Sequence, residues 1–289
     1  MPSPRPVGNV LGIIAGGGTL PGAIAHAARE GGREVFVLGI TGMAEEAELK
    51  PFPHAIVRIG EFGKAMKLLR DAGCAEITFA GHVPRPKFSD IKLDAKATLA
   101  LPRVLNAALH GDDALMRSIL DFFEKDGFQI IGTDKVAAGL LVHEGYLGTS
   151  EADDQSLADI SKAVDVLRAI GAHDVGQAAV VCEGVVLAVE AAEGTDAMLQ
   201  RVAEMPSSLR GTKLARRGVL VKAPKPNQER RVDLPVIGMA TLDLVSAAGL
   251  RGIAVQARGT LILQRQALVA GSNKAGIFLF GFSQSELLT

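Results

Sequence analysis

Apolar runs and helical patterns alternate along the first half of the chain. Five short aliphatic or β-branched runs predict buried strands, over Val10–Ala15, Glu34–Gly39, Ala55–Ile59, Glu76–Ala80 and Phe128–Gly132. Apolar residues at helical spacing predict intervening helices over Pro21–Glu30, Glu61–Ala72, Leu99–Leu109 and Asp113–Asp126. Strands that alternate with helices are typical of a parallel sheet with crossover helices, so this half is predicted to be an α/β domain.

The second half has a different pattern, which predicts a mixed α+β domain. Strands Ala178–Cys182 and Val185–Val189 flank Glu183-Gly184, a pair that favours a tight hairpin turn. Further strands are predicted over Val219–Ala223, Gly252–Val255, Thr260–Leu263 and Ile277–Phe280, with helices over Leu157–Ile170, Thr195–Glu204, Thr241–Ala248 and Arg265–Ala270. Apolar content falls over His143–Ser156, so we place the domains at 1–142 and 143–289.

Composition supports two folded domains and argues against a nucleic-acid partner. The chain has 289 residues, of which 48% are hydrophobic and 22% are charged, enough for a sizeable core. The net charge of −1 does not indicate a broad basic face, although it leaves a local basic cluster open. No Trp, one Tyr and 11 Phe provide few rings to stack on bases. Cys74 and Cys182 lie in apolar runs, which predicts buried free thiols and a reducing compartment.

An uncharged stretch near the N-terminus is interpreted as part of the fold rather than as an export signal. Ala25-His26-Ala27 superficially resembles a cleavage site, but three glycines and Pro21 interrupt the run before it. The same residues complete a strand–loop–helix unit. No uninterrupted apolar run approaches the about 18 residues of a membrane span, so we expect a cytoplasmic protein.

The first candidate for chemistry is the loop Gly16-Gly17-Gly18, which follows a strand and precedes a helix. Glycines allow close approach of a phosphate, and a helix N-terminus offers N–H donors, so we predict a phosphate- or ligand-contacting loop rather than a plain turn. Pro21 stands where a dinucleotide fingerprint has its third glycine, and the end of the second strand, Gly39-Ile40-Thr41, has no ribose-binding acid. NAD is therefore not favoured.

Three further segments carry polar residues beside strand ends or helix starts. His82 follows the strand Glu76–Ala80 and is predicted to line a site, with Arg85 near enough to face an anion. In Gly111-Asp112-Asp113, one Asp is explained as a helix N-cap. Thr195 is likewise expected to cap a helix, with Asp196 complementing its dipole; together with Glu190 these groups also suit a hard cation or sugar hydroxyls.

The loop 222–235 holds the most informative pattern. It carries four cations, at Lys222, Lys225, Arg230 and Arg231, and one carboxylate framed by apolar residues, Asp233. Cations neutralise phosphoryl oxygens, while a carboxylate holds Mg²⁺ or orients water, so the loop suits pyrophosphate cleavage. The alternative is a solvated charged loop in which Asp233 is a cap.

Six segments resemble the LpxI-type UDP-2,3-diacylglucosamine pyrophosphatases of lipid A biosynthesis. They are IIAGGGTLP (13–21), IGEFGK (59–64), FAGHVPRPKF (79–88), HGDDALMRSILDFFEKDGF (110–128), DVGQAAVVCEGVVLAVEAAEGTDAML (174–199) and VLVKAPKPNQERRVDLPVIG (219–238). The segments occur in order over nearly the whole chain.

The resemblance implies a Mg²⁺-dependent hydrolase that splits UDP-2,3-diacylglucosamine into UMP and 2,3-diacylglucosamine 1-phosphate. It implies a Rossmann-like N-terminal domain, a distinct C-terminal domain with the substrate between them, and water attack on the β-phosphorus. The family's essential acid, in Arg-Val-Asp-Leu-Pro, corresponds to Asp233, which is predicted as the catalytic residue and metal ligand. Within the matching motifs we predict these substrate-binding residues: Gly16, Gly17, Gly18, His82, Thr195, Asp196, Lys222, Lys225 and Gln228.

A lipid substrate also implies transient contact with the inner membrane, which makes the expected location cytoplasmic and peripheral. A homodimer is possible. Two other functions stay open at this point: a nucleotide-sugar enzyme of another reaction type, such as a dehydrogenase, and a non-catalytic lipid or nucleotide sensor.

Overall fold

The computed structural model describes residues 10–84, 91–226 and 228–283, and the chain divides into two compact units. Unit 1 is Met1–Gly139 together with Glu229–Asp233, and unit 2 is Leu140–Gln228 together with Leu234–Thr289. The chain therefore leaves unit 2 after Gln228, adds five residues to unit 1, and returns at Leu234. Each unit has its own main sheet and buries its own apolar residues.

Unit 1 is an α/β unit, as the alternating pattern predicts. Its strands are β1 (Val10–Ala15), β2 (Glu34–Ile40), β3 (His54–Val57), β4 (Glu76–Ala80) and β5 (Gln129–Ile130). Its helices are α1 (Leu20–Glu30), α2 (Glu46–Leu49), α3 (Phe62–Asp71), α4 (Ala95–Ala108), α5 (Asp112–Lys125) and α6 (Thr133–Val136).

The five strands of unit 1 form one parallel sheet in the order β3-β2-β1-β4-β5. The predicted parallel sheet is confirmed. Chain order reverses across β1 and β4, because β2 and β3 lie on one side of β1 and β4 lies on the other. Open α/β sheets bind ligands at this kind of reversal, outside the carboxyl ends of the strands.

The helices α4 and α5 both begin earlier than predicted. The α4 helix starts at Ala95 rather than Leu99, because the Asp94 carboxylate caps it by accepting the Ala97 amide at 2.9 Å. The α5 helix starts at Asp112, with Gly111 in the N-cap position at φ +110°. Neither Asp of this segment is the predicted N-cap, and both belong to the first turn of α5.

Unit 2 is a mixed α+β unit, and this prediction is also confirmed. Its strands are β6 (Gly145–Tyr146), β7 (Ala178–Cys182), β8 (Val185–Val189), β9 (Val219–Lys222), β10 (Val236–Ile237), β11 (Gly252–Gln256), β12 (Leu261–Ile262) and β13 (Phe278–Phe282). Its helices are α7 (Asp154–Gly171), α8 (Gly194–Ala203), α9 (Met239–Ala247) and α10 (Arg265–Ala275).

The main sheet of unit 2 has the order β6-β13-β11-β9-β7-β8, and β10 pairs with β12 in a separate two-stranded sheet. Strands β9, β11 and β13 are parallel, whereas β7 is antiparallel to both of its neighbours. The predicted β7–β8 hairpin turns through Glu183 and Gly184, which both have positive φ. The Asp159 carboxylate accepts both of their amides, at 2.9 and 2.7 Å, and fixes this turn.

Candidate functional site

Three segments of unit 1 meet at the carboxyl edge of its sheet. The glycine loop follows β1, His82 follows β4, and Gly132 follows β5. Because these strands are parallel and adjacent in the order β1-β4-β5, all three segments leave the sheet at the same edge. Strands β1 and β4 end side by side, because Ala15 pairs with Ala80, whereas β5 ends opposite Ile77. The sheet therefore brings together the glycine loop and His82, as predicted.

The glycine loop and the segment after β4 are joined by their backbones. The Gly17 amide donates to the His82 carbonyl at 2.8 Å, and the His82 amide donates to the Gly17 carbonyl at 3.1 Å. The Gly16 amide donates to the Ala80 carbonyl at 2.8 Å. A Cβ at Gly16 would lie 2.6 Å from the His82 carbonyl oxygen, so this close approach requires glycine.

These contacts give two of the glycines a structural explanation. Gly16 permits the close approach to His82, and Gly18 adopts φ +81°, a conformation that favours glycine. Gly18 and the His82 side chain are exposed beside this junction. A role for this loop in binding phosphate stays a prediction.

The segment 229–233 forms one tight turn in unit 1. The amides of Val232 and Asp233 both donate to the Glu229 carbonyl at 3.1 Å. The Val232 side chain packs against the apolar core of unit 1, a cluster that includes Phe123 and Phe128. The turn is therefore fixed by its own hydrogen bonds and by one apolar anchor.

Three polar contacts hold this turn to α5 and to the first residue of α6. The Glu229 amide donates to Asp113 Oδ1 at 2.7 Å, and Arg231 Nη1 donates to Glu124 Oε1 at 2.6 Å. The Thr133 amide donates to the Arg231 carbonyl at 2.9 Å. Asp113 and Glu124 are about three helical turns apart and so share one face of α5. The turn that carries Asp233 is thus held at the carboxyl edge of the sheet.

Charge pairing inside the turn keeps Glu229 and Arg231 ionised. Arg231 Nε and Nη2 each donate to one Glu229 carboxylate oxygen at 3.0 Å, a two-pronged ion pair. This guanidinium holds the pKa of Glu229 below its ordinary value, and Glu229 together with Glu124 raises the pKa of Arg231. Arg231, which the sequence offered as a cation for phosphate, is engaged by two carboxylates.

Asp233 differs in exposure from the other residues of its motif. Arg231 and Val232 are half-buried anchors, whereas Leu234 and Pro235 are buried in unit 2. The Pro235 carbonyl accepts the Leu261 amide at 2.8 Å. Within 231–235 only Asp233 is exposed. Four of the five motif residues therefore have anchoring roles, and the Asp233 carboxylate is the group that they present.

Unit 2 contains the two predicted lysines. Lys222 ends β9, is 5% exposed, and donates from Nζ to the Val236 carbonyl at 3.1 Å. Lys225 forms an ion pair with Asp174, a residue that sequence reasoning did not single out. Both ammonium groups are therefore held in place by partners within unit 2.

A polar network in unit 2 joins two other predicted residues. The Thr195 hydroxyl donates to Glu190 Oε1 at 3.0 Å, and the Gln177 amide donates to Glu190 Oε2 at 3.2 Å. The Gln228 side chain donates to Gln177 Oε1 at 3.2 Å and accepts the Lys225 amide at 2.8 Å. The network connects the start of α8 to the loop that carries Lys225. Gln177, which joins the two parts, was not singled out from the sequence.

The start of α8 departs from the expectation. The helix begins at Gly194 with Glu193 in the N-cap position, so Thr195 lies inside the first turn. The Thr195 hydroxyl donates its hydrogen bond to Glu190, which is 8% exposed, and does not cap the helix backbone. Asp196 is exposed in the same first turn, where a carboxylate complements the helix dipole as predicted.

The arrangement of metal-ligating side chains shows how the protein would hold a magnesium ion. Among residues 10–84, 91–226 and 228–283 there is no group of three or more His, Cys, Asp or Glu side chains arranged to hold a metal. Mg²⁺ is commonly held by one or two carboxylates together with substrate phosphates and water. The exposed Asp233 carboxylate fits this mode of binding, in which the protein provides few of the ligands.

Part of the segment after β4, which was predicted to face an anion, lies outside the described residues. Arg85 and Asn227 belong to the quoted segments but not to the described ranges. Within those ranges, no helix combines the length and the apolar character needed to cross a bilayer.

Comparison with known proteins agrees over both units. A family model described as the LpxI N-terminal domain matches residues 10–140, and one described as the LpxI C-terminal domain matches residues 143–280. A protein of Caulobacter vibrioides, described as UDP-2,3-diacylglucosamine pyrophosphatase LpxI, is 49% identical over 276 residues. That alignment covers 96% of this chain and 98% of the relative.

Proposed function

The chain belongs to the LpxI family, and from this premise we propose that it hydrolyses the pyrophosphate of UDP-2,3-diacylglucosamine in lipid A biosynthesis. The products are UMP and 2,3-diacylglucosamine 1-phosphate. The observation that carries the proposal is the exposed Asp233 carboxylate, presented by a turn whose other motif residues are anchored. Such a fixed acid suits a reaction that needs an oriented water or a held cation.

Asp233 is the residue to which we assign the chemistry. Its carboxylate would accept a hydrogen bond from water or would hold Mg²⁺. When bound, Mg²⁺ withdraws charge from the phosphoryl oxygens and so eases attack on phosphorus. Water adds to the β-phosphorus, the bond to the bridging oxygen breaks, and UMP leaves with that oxygen.

The lysines of unit 2 are proposed to bind the pyrophosphate. The Asp174 carboxylate fixes the ammonium of Lys225, and the Val236 carbonyl orients that of Lys222. Cations held in advance stabilise phosphoryl charge without reorganising during the reaction. Gln228 uses both ends of its amide within unit 2, which supports a role in shaping the Lys225 loop.

Other substrate contacts follow from exposure and hydrogen-bonding capacity. The glycine loop and His82 lie at the sheet edge where open α/β folds bind ligands. The Thr195 oxygen, while donating to Glu190, remains chemically able to accept a hydrogen bond, and the exposed Asp196 suits sugar hydroxyls. Each of these residues is proposed to contact a polar group of the substrate.

The acyl chains of the substrate support a peripheral location. A lipid that carries two acyl chains resides in a membrane, so the enzyme meets it at the cytoplasmic face of the inner membrane. We propose weak and transient contact with that face. A homodimer stays a prediction, with no observation that favours it.

Neither alternative function is favoured by an observation. An NAD-dependent dehydrogenase of this fold has an acid at the end of β2 to bind the ribose. This chain has Thr41 there, and its hydroxyl donates to the Val57 carbonyl at 3.1 Å. A passive sensor would have no need of an exposed carboxylate on an anchored turn.

The test is product analysis with purified protein and UDP-2,3-diacylglucosamine, in Mg²⁺ and in EDTA. We expect UMP and the lipid 1-phosphate in Mg²⁺ and neither in EDTA. In ¹⁸O-labelled water, the label should enter the lipid phosphate and not UMP. Folded protein that yields no UMP in Mg²⁺ contradicts the proposal, and binding without turnover indicates a sensor.

A further inference from the structure

We infer that Asp113 on α5 is a positioning residue for Asp233, through the backbone of Glu229. This inference rests on the proposed function, because it assigns Asp113 to the same reaction. Asp113 Oδ1 accepts the Glu229 amide at 2.7 Å, and the Glu229 carbonyl accepts the Asp233 amide at 3.1 Å. Two hydrogen bonds in series thus connect Asp113 to the residue that presents the carboxylate.

The Asp113 carboxylate is itself held in orientation. Arg117, one turn further along α5, pairs with Asp113 Oδ2 at 2.9 Å, while Oδ1 faces Glu229. The Asp113 side chain is 18% exposed, so its bond to Glu229 is largely shielded from water. A bond between an ionised acceptor and an amide is about twice as strong as a neutral one. The contact is therefore an anchor rather than an incidental surface contact.

A helix-capping role alone does not explain this residue. Acids in a first helical turn are common because they complement the helix dipole. That effect requires no specific partner, yet Asp113 bonds an amide 116 residues away in the sequence. Removing the acceptor would leave the Glu229 amide without this partner and would loosen the turn at its first residue.

The same helix provides a second anchor and a matched control. Glu124 holds Arg231 at the middle of the turn. Asp121 lies on the same helix and pairs with Arg103 of α4. Loss of Asp121 removes a carboxylate and an ion pair from α5 without removing a described contact of the turn 229–233. It therefore separates damage to the helix from displacement of Asp233.

The experiment compares Asp113→Ala, Asp113→Asn and Asp121→Ala with the unmodified chain in the UMP-release assay. A displacement of about 1 Å at a reacting group costs about 100-fold in rate, so we expect Asp113→Ala to lower kcat by about 10- to 100-fold. KM should change by less than about threefold, because Asp233 is assigned to the chemical step. Asp113→Asn keeps an oxygen acceptor and should restore most of kcat, and Asp121→Ala should match the unmodified chain.

Hydrogen exchange of the peptide over 228–234 gives a readout that does not depend on activity. We expect faster exchange in Asp113→Ala than in Asp113→Asn or Asp121→Ala. If Asp113→Ala fails to fold, Glu124→Gln weakens the second anchor and should lower kcat at similar KM.

Three results would overturn the inference: normal kcat in folded Asp113→Ala, equal losses in Asp113→Asn and Asp113→Ala, or equal losses in Asp121→Ala. If the unmodified chain itself releases no UMP, the proposed function fails first. In that case, the hydrogen-exchange rates of residues 228–234 still test the Asp113 contact. Equal rates in Asp113→Ala and the unmodified chain would show that Asp113 does not hold the turn in place.

Discussion

Gly17 and His82 are hydrogen-bonded to each other in both directions through their backbones, at 2.8 and 3.1 Å. The pair closes the carboxyl edge of the unit 1 sheet between β1 and β4, where chain order reverses. The two segments that the sequence marks separately are therefore one structure. Gly16 is needed for packing in this structure, in addition to any role in binding.

Substitution of two glycines in this loop should have unequal effects. A Cβ at Gly16 would lie 2.6 Å from a backbone oxygen, so we expect Gly16→Ala to lower the free energy of unfolding by about 2–3 kcal/mol. Gly18→Ala meets no atom within 4 Å but is strained at φ +81°, and should cost about 1 kcal/mol. Urea denaturation of both variants measures the difference. Equal losses would show that the close approach to His82 does not constrain the loop.

Loss of the Thr195 hydroxyl should destabilise unit 2. Glu190 is 8% exposed and accepts hydrogen bonds from Thr195 and from the Gln177 amide. Thr195→Val removes one donor from a buried carboxylate, which should cost about 1–3 kcal/mol. Thr195→Ser retains the hydroxyl and should cost less. Equal urea midpoints for Thr195→Val and the unmodified chain would show that this hydrogen bond does not stabilise the protein.

Acid should weaken the turn that carries Asp233. Arg231 holds the pKa of Glu229 in the folded chain below its ordinary value of 4.5. The unfolded chain therefore takes up the proton first, so this stabilisation is present above pH 4.5 and is lost as pH falls through the folded-state value. Glu229→Gln lacks the pair and should lose less stability than the unmodified chain between pH 6 and pH 3.5. Unfolding free energies at the two pH values test this, and identical losses would contradict it.

The Cys74 thiol should resist modification in the folded protein. Burial raises its pKa to about 11, which leaves about one thiolate in a thousand at pH 8. With Cys182→Ser to isolate the signal, dithiobis(nitrobenzoate) should react slowly with the native chain and rapidly in guanidinium. Rapid labelling of the native chain would show that Cys74 is accessible, against its position in the core.

The sequence predicts regular elements and local turns of this protein well, for physical reasons. Short apolar runs and the 3.6-residue period both follow from burial, and they locate the main sheet of each unit and most helices. The hairpin at Glu183-Gly184 follows from its local turn chemistry. The apolar pattern does not predict the early start of α4, because that start depends on the Asp94 carboxylate, which caps the helix.

Contacts between distant residues could not be predicted in this way. Asp113 and Glu229 are 116 residues apart, and no periodicity relates them. The motif around Asp233 was recognised as a segment, yet its membership of unit 1 depends on tertiary contacts of Arg231 and Val232. Gln177 and Asp174 were missed for the same reason, since their roles come from partners folded beside them.

The most direct test of the account compares the kcat for UMP release of Asp233→Asn with that of the unmodified chain, in Mg²⁺ and at equal thermal stability. Asparagine keeps the size of the side chain and the backbone bond to Glu229, but removes the charge. We predict a loss of about 100- to 10,000-fold in kcat, as expected for removal of a catalytic carboxylate. A kcat within threefold of the unmodified chain would contradict the assignment of the chemistry to Asp233.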